Sequence, residues 1–209
     1  MHAWGRRIRA VAAAGFLWGQ ATGAATLVNP GFETGDFTGW STFGQGWRIG
    51  VGADAQAGSY GAVNDMLGGD VDQFRGVFQN IAIVGGASYS AGVWLRTVTM
   101  DTTESWLEIQ WFDNVGGFIS QLQSVHTTAD QPFTYLSLTN MVAPINAVTV
   151  SVRGIVQMHN TSGAPDFSIF DSFDFSGGPV VPEPGTLTLL GGAGAAIAWW
   201  RRRRFRGGF

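Results

Sequence analysis

The chain has 209 residues and a formal net charge of −3, with twelve basic side chains, all arginine, against fifteen acidic ones. Its length suits one domain plus processing segments, or at most two small domains. It contains no cysteine, which excludes disulfides, thiolate metal sites and a cysteine nucleophile, so an exported domain of this kind must be held by its core alone.

Charge is distributed unevenly. All acidic residues lie between Glu33 and Glu183, where only Arg48, Arg75, Arg96 and Arg153 oppose them, and the other arginines sit at the two ends. An acidic, lysine-free body argues against nucleic-acid binding, which needs a basic face to displace counterions from phosphate. Basic ends read instead as membrane-topology signals.

Residues 1–25 have the layout of a secretory signal peptide: Arg6, Arg7 and Arg9, then a short apolar run from Ala10 to Trp18, then small residues Gly23 and Ala25 before Thr26. The run is too short for a permanent anchor. It implies the general secretory machinery and signal peptidase as partners. Arg6-Arg7 alone does not make a twin-arginine signal, and a buried N-terminal helix is the competing reading.

From Thr26 to about Gly178 the pattern changes to β-branched and aromatic runs punctuated by glycine. Strands are predicted at 77–84, 89–99, 105–113, 133–142, 147–156 and 166–175. Several alternate with period two, as a sheet with one buried face requires. Val148, Val150 and Val152 share one face of 147–156, opposite Thr149, Ser151 and Arg153. Gly-Gly pairs at 68–69, 85–86 and 116–117 mark turns. No stretch here sustains a helical period, so the fold class expected is an all-β sandwich.

The opening LVNPGFETGDFTGW (27–40) resembles that of carbohydrate-binding modules with the galactose-binding-like jelly roll. Three further segments follow in the family's order: AGSYGAV (57–63), FQNIAIVGGASYSAGVWLR (78–96) and FDSFDFSG (170–177), where Ser172 and Phe173 depart from the family's Asp and Val. The resemblance spans most of 27–177 and implies a jelly-roll β-sandwich. It also implies a structural calcium ion tying the N-terminal turn to the last strand through Glu33 and Asp171, with backbone carbonyls completing the six to eight oxygens that calcium needs. An acidic turn residue and a solvated strand-end aspartate is the alternative.

For sugar binding the useful residues are aromatics on a polar sheet face. In 105–113, Leu107, Ile109 and Trp111 point one way and Trp106 shares the other face with Glu108 and Gln110. In 89–98, Tyr89, Ala91, Val93 and Leu95 read as core, leaving Trp94 beside Arg96. Trp94 and Trp106 are therefore the candidate platform, flanked by Arg96, Glu108 and Gln110; burial of both rings is the competing reading. Trp40 and Trp47 read as packing residues. Catalysis finds little support: beyond the signal peptide the histidines are His126 and His159, no nucleophile elbow or phosphate loop occurs, and Glu104 with Glu108 on one strand does not make a glycosidase pair without a cleft.

Residues 179–209 are a second export signal. Val181, Pro182, Glu183 and Pro184 precede an uncharged run at about 185–200, some 24 Å as a helix, and then Arg201, Arg202, Arg203, Arg204 and Arg206. Such a run suits a short transmembrane helix with a positive cytoplasmic stop, and Trp199 and Trp200 suit the interface. The segment resembles the PEP-CTERM sorting signal of Gram-negative bacteria, which implies recognition by an exosortase, transient inner-membrane retention with the domain on the periplasmic side, and transfer to the cell surface or extracellular matrix. An unprocessed anchor is the alternative. The expected function is that of an exported, non-catalytic cell-surface or exopolysaccharide (biofilm-matrix) protein; a polysaccharide-binding module using Trp94 and Trp106 is the second reading and a glycoside hydrolase a remote third.

Overall fold

The computed structural model describes residues 26–66, 73–98, 103–158 and 166–179. The signal peptide, the sorting motif at 181–184, the run at 185–200, the arginine cluster, His159 and the Gly-Gly pair at 68–69 lie outside them. Among the described residues there are ten strands: β1 (Ser41–Phe43), β2 (Trp47–Val51), β3 (Tyr60–Met66), β4 (Gln73–Ala82), β5 (Ser88–Val98), β6 (Thr103–Phe112), β7 (Phe118–Gln123), β8 (Gln131–Val142), β9 (Thr149–Met158) and β10 (Asp166–Gly177), with one 3-10 turn at Gly52–Asp54. No helix among the described residues is long and apolar enough to cross a membrane.

The strands form two five-stranded antiparallel sheets. Sheet A has the order β1-β4-β9-β6-β7 and sheet B the order β2-β3-β10-β5-β8. The chain thus forms the expected all-β sandwich, and the period-two reading of its faces holds. Leu107, Ile109 and Trp111 of β6 meet Tyr89, Ala91, Val93 and Leu95 of β5 across the core, together with Val150 and Val152 of β9. Val148 departs from that pattern: it precedes β9, is 41% exposed, and donates its N–H to the carbonyl of Phe112.

The core has a polar end. Thr103 Oγ1 donates to Asp166 Oδ2 at 2.6 Å, and the hydroxyls of Ser105 and Ser168 lie 2.6 Å apart, both pairs bridging β6 to β10 where water is excluded. Such bonds fix inter-sheet register because breaking one strands its buried partner.

In β10, strict alternation would carry Phe170 into the core and leave Phe173 out. A β-bulge between Asp171 and Asp174, with Ser172 at φ +49°, re-phases the strand. Phe170, Phe173 and Phe175 all reach the core as a result. The Phe173 N–H donates to the carbonyl of Pro30, and its ring packs 4.6 Å from Trp40, which with Phe32 fills the space under the N-terminal turn. Trp40 and Trp47 are packing residues. Gln79 holds the incoming chain as a strand would, accepting from Val28 N–H at 2.7 Å and donating to its carbonyl at 2.9 Å.

Candidate functional site

The outer face of sheet A carries an open cleft of about 470 Å³. Cross-strand register lays its floor out in rows that run across the strands. The apolar row is Phe43, Gly76, Ile155 and Trp106, contributed by β1, β4, β9 and β6 in turn. Beside it run Phe78, Arg153, Glu108 and Gln123, then Asn80, Ser151, Gln110 and Gln121. On the other side are Phe74, Gln157 and Glu104. A Cβ at Gly76 would lie 2.3 Å from the Phe43 ring, so the glycine is what lets that ring lie down on the sheet.

Glu108 is the centre of the polar part. Its Oε1 accepts from Gln110 Nε2 at 2.7 Å, and its Oε2 accepts from Gln123 Nε2 at 2.9 Å and from Trp106 Nε1 at 3.4 Å. Arg153 Nη1 stands 3.8 Å from Oε1. The same guanidinium lies 5.3 Å from the Phe78 ring centroid and donates from Nε to Ser151 Oγ at 2.9 Å. Burial lowers the Arg153 pKa from its usual value and Glu108 opposes that shift. The carboxylate is thus neutralised and saturated with donors, and the amide groups of Gln110, Gln121, Gln123 and Gln157 present both donors and acceptors at the cleft wall.

The sequence placed Trp106, Glu108 and Gln110 on one face, and the structure brings them together there. Trp106 is nonetheless 1% exposed, because His126 stacks on it at 4.1 Å with planes 5° apart. His126 is fixed by Glu104 Oε2 at 2.6 Å from Nδ1 and by the backbone bridge of Thr127 to Ser105. The exposed ring of the cleft is Phe74, at 53%, edge-on to Trp106. Phe43, Phe74, Gln121, Gln123, His126, Arg153 and Gln157 were not singled out from the sequence. The alternation of Gln121 and Gln123 in FISQLQ was the available signal.

Trp94 is elsewhere. It lies on the outer face of sheet B, so it and Trp106 point away from each other on opposite sides of the sandwich, and the paired platform does not form. Trp94 packs 5.5 Å from Tyr135, whose hydroxyl donates to Asp174 Oδ2 at 2.5 Å. Burial, with a contribution from Asp174, pushes the Tyr135 pKa up to about 12. A Cβ at Gly92 would occupy the place of that hydroxyl. Arg96 is committed to structure: its Nη1 donates to the carbonyl of Ala53 at 2.6 Å and stands 4.0 Å from Asp54, holding the 3-10 turn against sheet B.

Glu33 and Asp171 do come close to one another, both flanking Gly31. Their oxygens already accept backbone N–H groups. Glu33 takes those of Ser59 at 3.0 Å and Tyr60 at 3.1 Å; Asp171 takes those of Gln56 at 2.7 Å, Ala57 at 3.1 Å and Ser172 at 2.5 Å. Among the described residues no third acidic or histidine side chain joins the pair. Burial raises the Asp171 pKa, the three amides lower it, and Glu33 adds a smaller upward push. The residues fit a cation in part: lone pairs remain on both carboxylates, and further oxygens must come from backbone and water.

Solved structures with a similar fold include carbohydrate-binding modules, alone or within larger enzymes, and the enzymatically active domain of a bacteriophage tailspike protein. One is a family 61 module in complex with β-1,4-galactotriose, at 19% identity and TM-score 0.52, covering 72% of this chain and 97% of that one. A family 16 carbohydrate-binding module aligns at 19% identity and TM-score 0.51 over 71% and 97%. The CBM22-1–GH10 modules of Clostridium thermocellum xylanase 10B, complexed with xylohexaose, align at 18% identity and TM-score 0.53, over 76% of this chain and 29% of that one. At these identities the likeness is one of fold. A search of curated proteins finds no match. The model of the PEP-CTERM protein-sorting motif matches residues 180–203, so the chain is a β-sandwich with the fold of carbohydrate-binding modules that carries a PEP-CTERM sorting motif.

Proposed function

We propose that this is an exported, non-catalytic protein, sorted by an exosortase through residues 180–203, that binds a neutral polysaccharide in the cleft of sheet A. The observation that carries the reading is the donor-saturated Glu108 set in a wall of glutamine amides beside an apolar row. Sugar hydroxyls pair with amides that both donate and accept, and pyranose C–H faces suit the Phe74 ring. The charges of Glu108 and Arg153 offset one another, which leaves the cleft without a net positive charge to recruit a polyuronate or sulfated chain. Glu104 and Glu108 both face the cleft, yet each is already tied down, Glu104 by His126 and Glu108 by its four neighbours, which supports binding rather than acid–base work.

A glycan array followed by calorimetry on the full chain in detergent tests this. Phe74 is exposed, so Phe74→Ala leaves the fold intact and should weaken binding about tenfold, the loss of about 1.4 kcal/mol. Silence of the wild type across neutral glycans would sink the binding reading and leave a matrix protein that uses the fold alone. Sorting predicts a mature C-terminus near residues 180–184 by mass spectrometry from the host, with transfer to the surface or biofilm matrix; an intact Phe209 would return the tail to a plain anchor. A structural calcium ion at Glu33 and Asp171 is the third part of the proposal, supported by their proximity and by the burial of Asp171.

A further inference from the structure

We propose that the end of the sandwich from which the sorting tail departs is a membrane-facing surface, seated on the lipid interface while the tail is anchored. The proposal rests on the reading of the tail as a membrane anchor. Three connections and the chain exit share this end. The 83–87 connection packs on 143–148, with Gly86 N–H donating to the carbonyl of Ala143 and Ala143 N–H to that of Ala87. The 113–117 turn joins them through Phe112, whose carbonyl accepts from Val148. Gly178, the residue before the last one described, donates its N–H to the carbonyl of Ser88 in the same place.

This end is apolar and nearly free of charge. Ile145 is 85% exposed, Val115 84%, Val142 66% and Phe118 57%. In segments 83–87, 112–118, 142–148 and 177–179 the one charged residue is Asp113, and that carboxylate is folded back onto the turn, accepting from the N–H groups of Val115 at 3.0 Å and Gly117 at 2.7 Å. Exposed apolar loops without charge suit the interfacial zone of a bilayer, where branched and aromatic side chains leave water at no cost in desolvated charge.

The tether keeps this end near the lipid. Six residue steps separate Pro179 from Gly185, where the uncharged run begins. Fully extended they reach about 20 Å, and the headgroup layer takes about 5–7 Å of that. The exit end is therefore held within about 15 Å of the lipid surface, whereas the far end, one β8 length away, can stand up to roughly 35 Å higher.

The absence of cysteine makes the test direct. Ile145→Cys, Val115→Cys and, at the far end, Thr128→Cys are each labelled with a nitroxide on the full chain. Each is reconstituted into vesicles of phosphatidylethanolamine and phosphatidylglycerol. The expected result is co-flotation with the vesicles, gain of oxygen collisions and loss of collisions with a water-soluble nickel chelate at 145 and 115, and no change at 128. Co-flotation with all three labels equally open to the chelate overturns the proposal while leaving the anchor intact. Failure to float overturns the anchor reading and this proposal together. Protection at 145 and 115 that arises only when an exosortase is added overturns the lipid assignment in favour of a protein partner.

Discussion

Replacing Arg153 by methionine removes the cation that faces Glu108 while keeping the stem that packs on Phe78. At 3.8 Å and an effective dielectric near 20, the lost attraction is about 4 kcal/mol. Two effects reduce it. Burial weighs more heavily on Arg153 than Glu108 does, so much of the desolvation cost is recovered when the charge goes. Gln110 and Gln123 also keep both oxygens of Glu108 hydrogen-bonded. Loss of the contact between the guanidinium and the Phe78 ring adds about 0.5–1 kcal/mol. The net expectation is a destabilisation of about 2 kcal/mol, or roughly 4–8 °C in Tm for a domain of this size. Thermal melts of Arg153→Met, Glu108→Gln and the double variant measure it as a cycle. Coupling of about 1 kcal/mol or more is expected, because Glu108→Gln removes the charge that Arg153 serves. Single effects that simply add, within about 0.5 kcal/mol, would refute the claim that these two groups form one unit.

Asp171 titrates above its usual range because it is buried. A carboxyl whose folded pKa is raised holds its proton where the unfolded chain has lost it, so its contribution is full below the unfolded value near 3.8, is lost as pH rises through the folded pKa, and is flat above. If calcium binds beside it, added calcium should raise Tm more at pH 7.5 than at pH 4, and chelator should reverse this; identical midpoints with and without chelator at both values would remove calcium from the proposal. Tyr135, with a pKa near 12, should ionise late in a titration followed by phenolate absorbance. Asp174→Asn should bring it part of the way back towards 10, since burial remains; an unchanged midpoint would show that the hydrogen bond to Asp174 has no influence.

Long strands with one dry face were legible in the sequence. β5, β6 and β9 show their inner residues as every second apolar position. β1 and β2 are three and five residues long, too short to display a period. β7 is wet on both sides at the edge of its sheet, so the alternation of Gln121 and Gln123 in FISQLQ has no buried apolar face opposite it to show which side is which. The site was half legible for a related reason. Period two assigns a residue to a face but does not say which sheet its strand joins. β5 and β6 are consecutive in the chain yet belong to different sheets, which separates Trp94 from Trp106. Nor does it say what covers a face: the cap on Trp106 is His126, fixed by a bridge between Ser105 and Thr127. Arg96 was lost to a carbonyl at Ala53, a contact made 43 residues away that no local pattern announces.

The cleft and the tail are compatible because of the direction in which the cleft runs. Its rows cross the strands, and the strands of sheet A end at Phe112 and Phe118, on the side from which the tail leaves. With that end on the lipid, the strands stand up from the membrane and the cleft lies parallel to it. Trp106 is six residues above Phe112 along β6, about 20 Å, enough to clear the headgroups and leave room for a polymer chain to pass through from either side. Every cleft residue lies before Met158, so cleavage near Pro182-Glu183-Pro184 would leave the cleft untouched and change only the attachment. The protein would then carry its ligand off the membrane rather than having to release it first. That order of events requires equal glycan affinity in the anchored and cleaved forms; a cleaved form that binds more than tenfold more weakly, a difference of about 1.4 kcal/mol, would mean that the tail or the membrane forms part of the site.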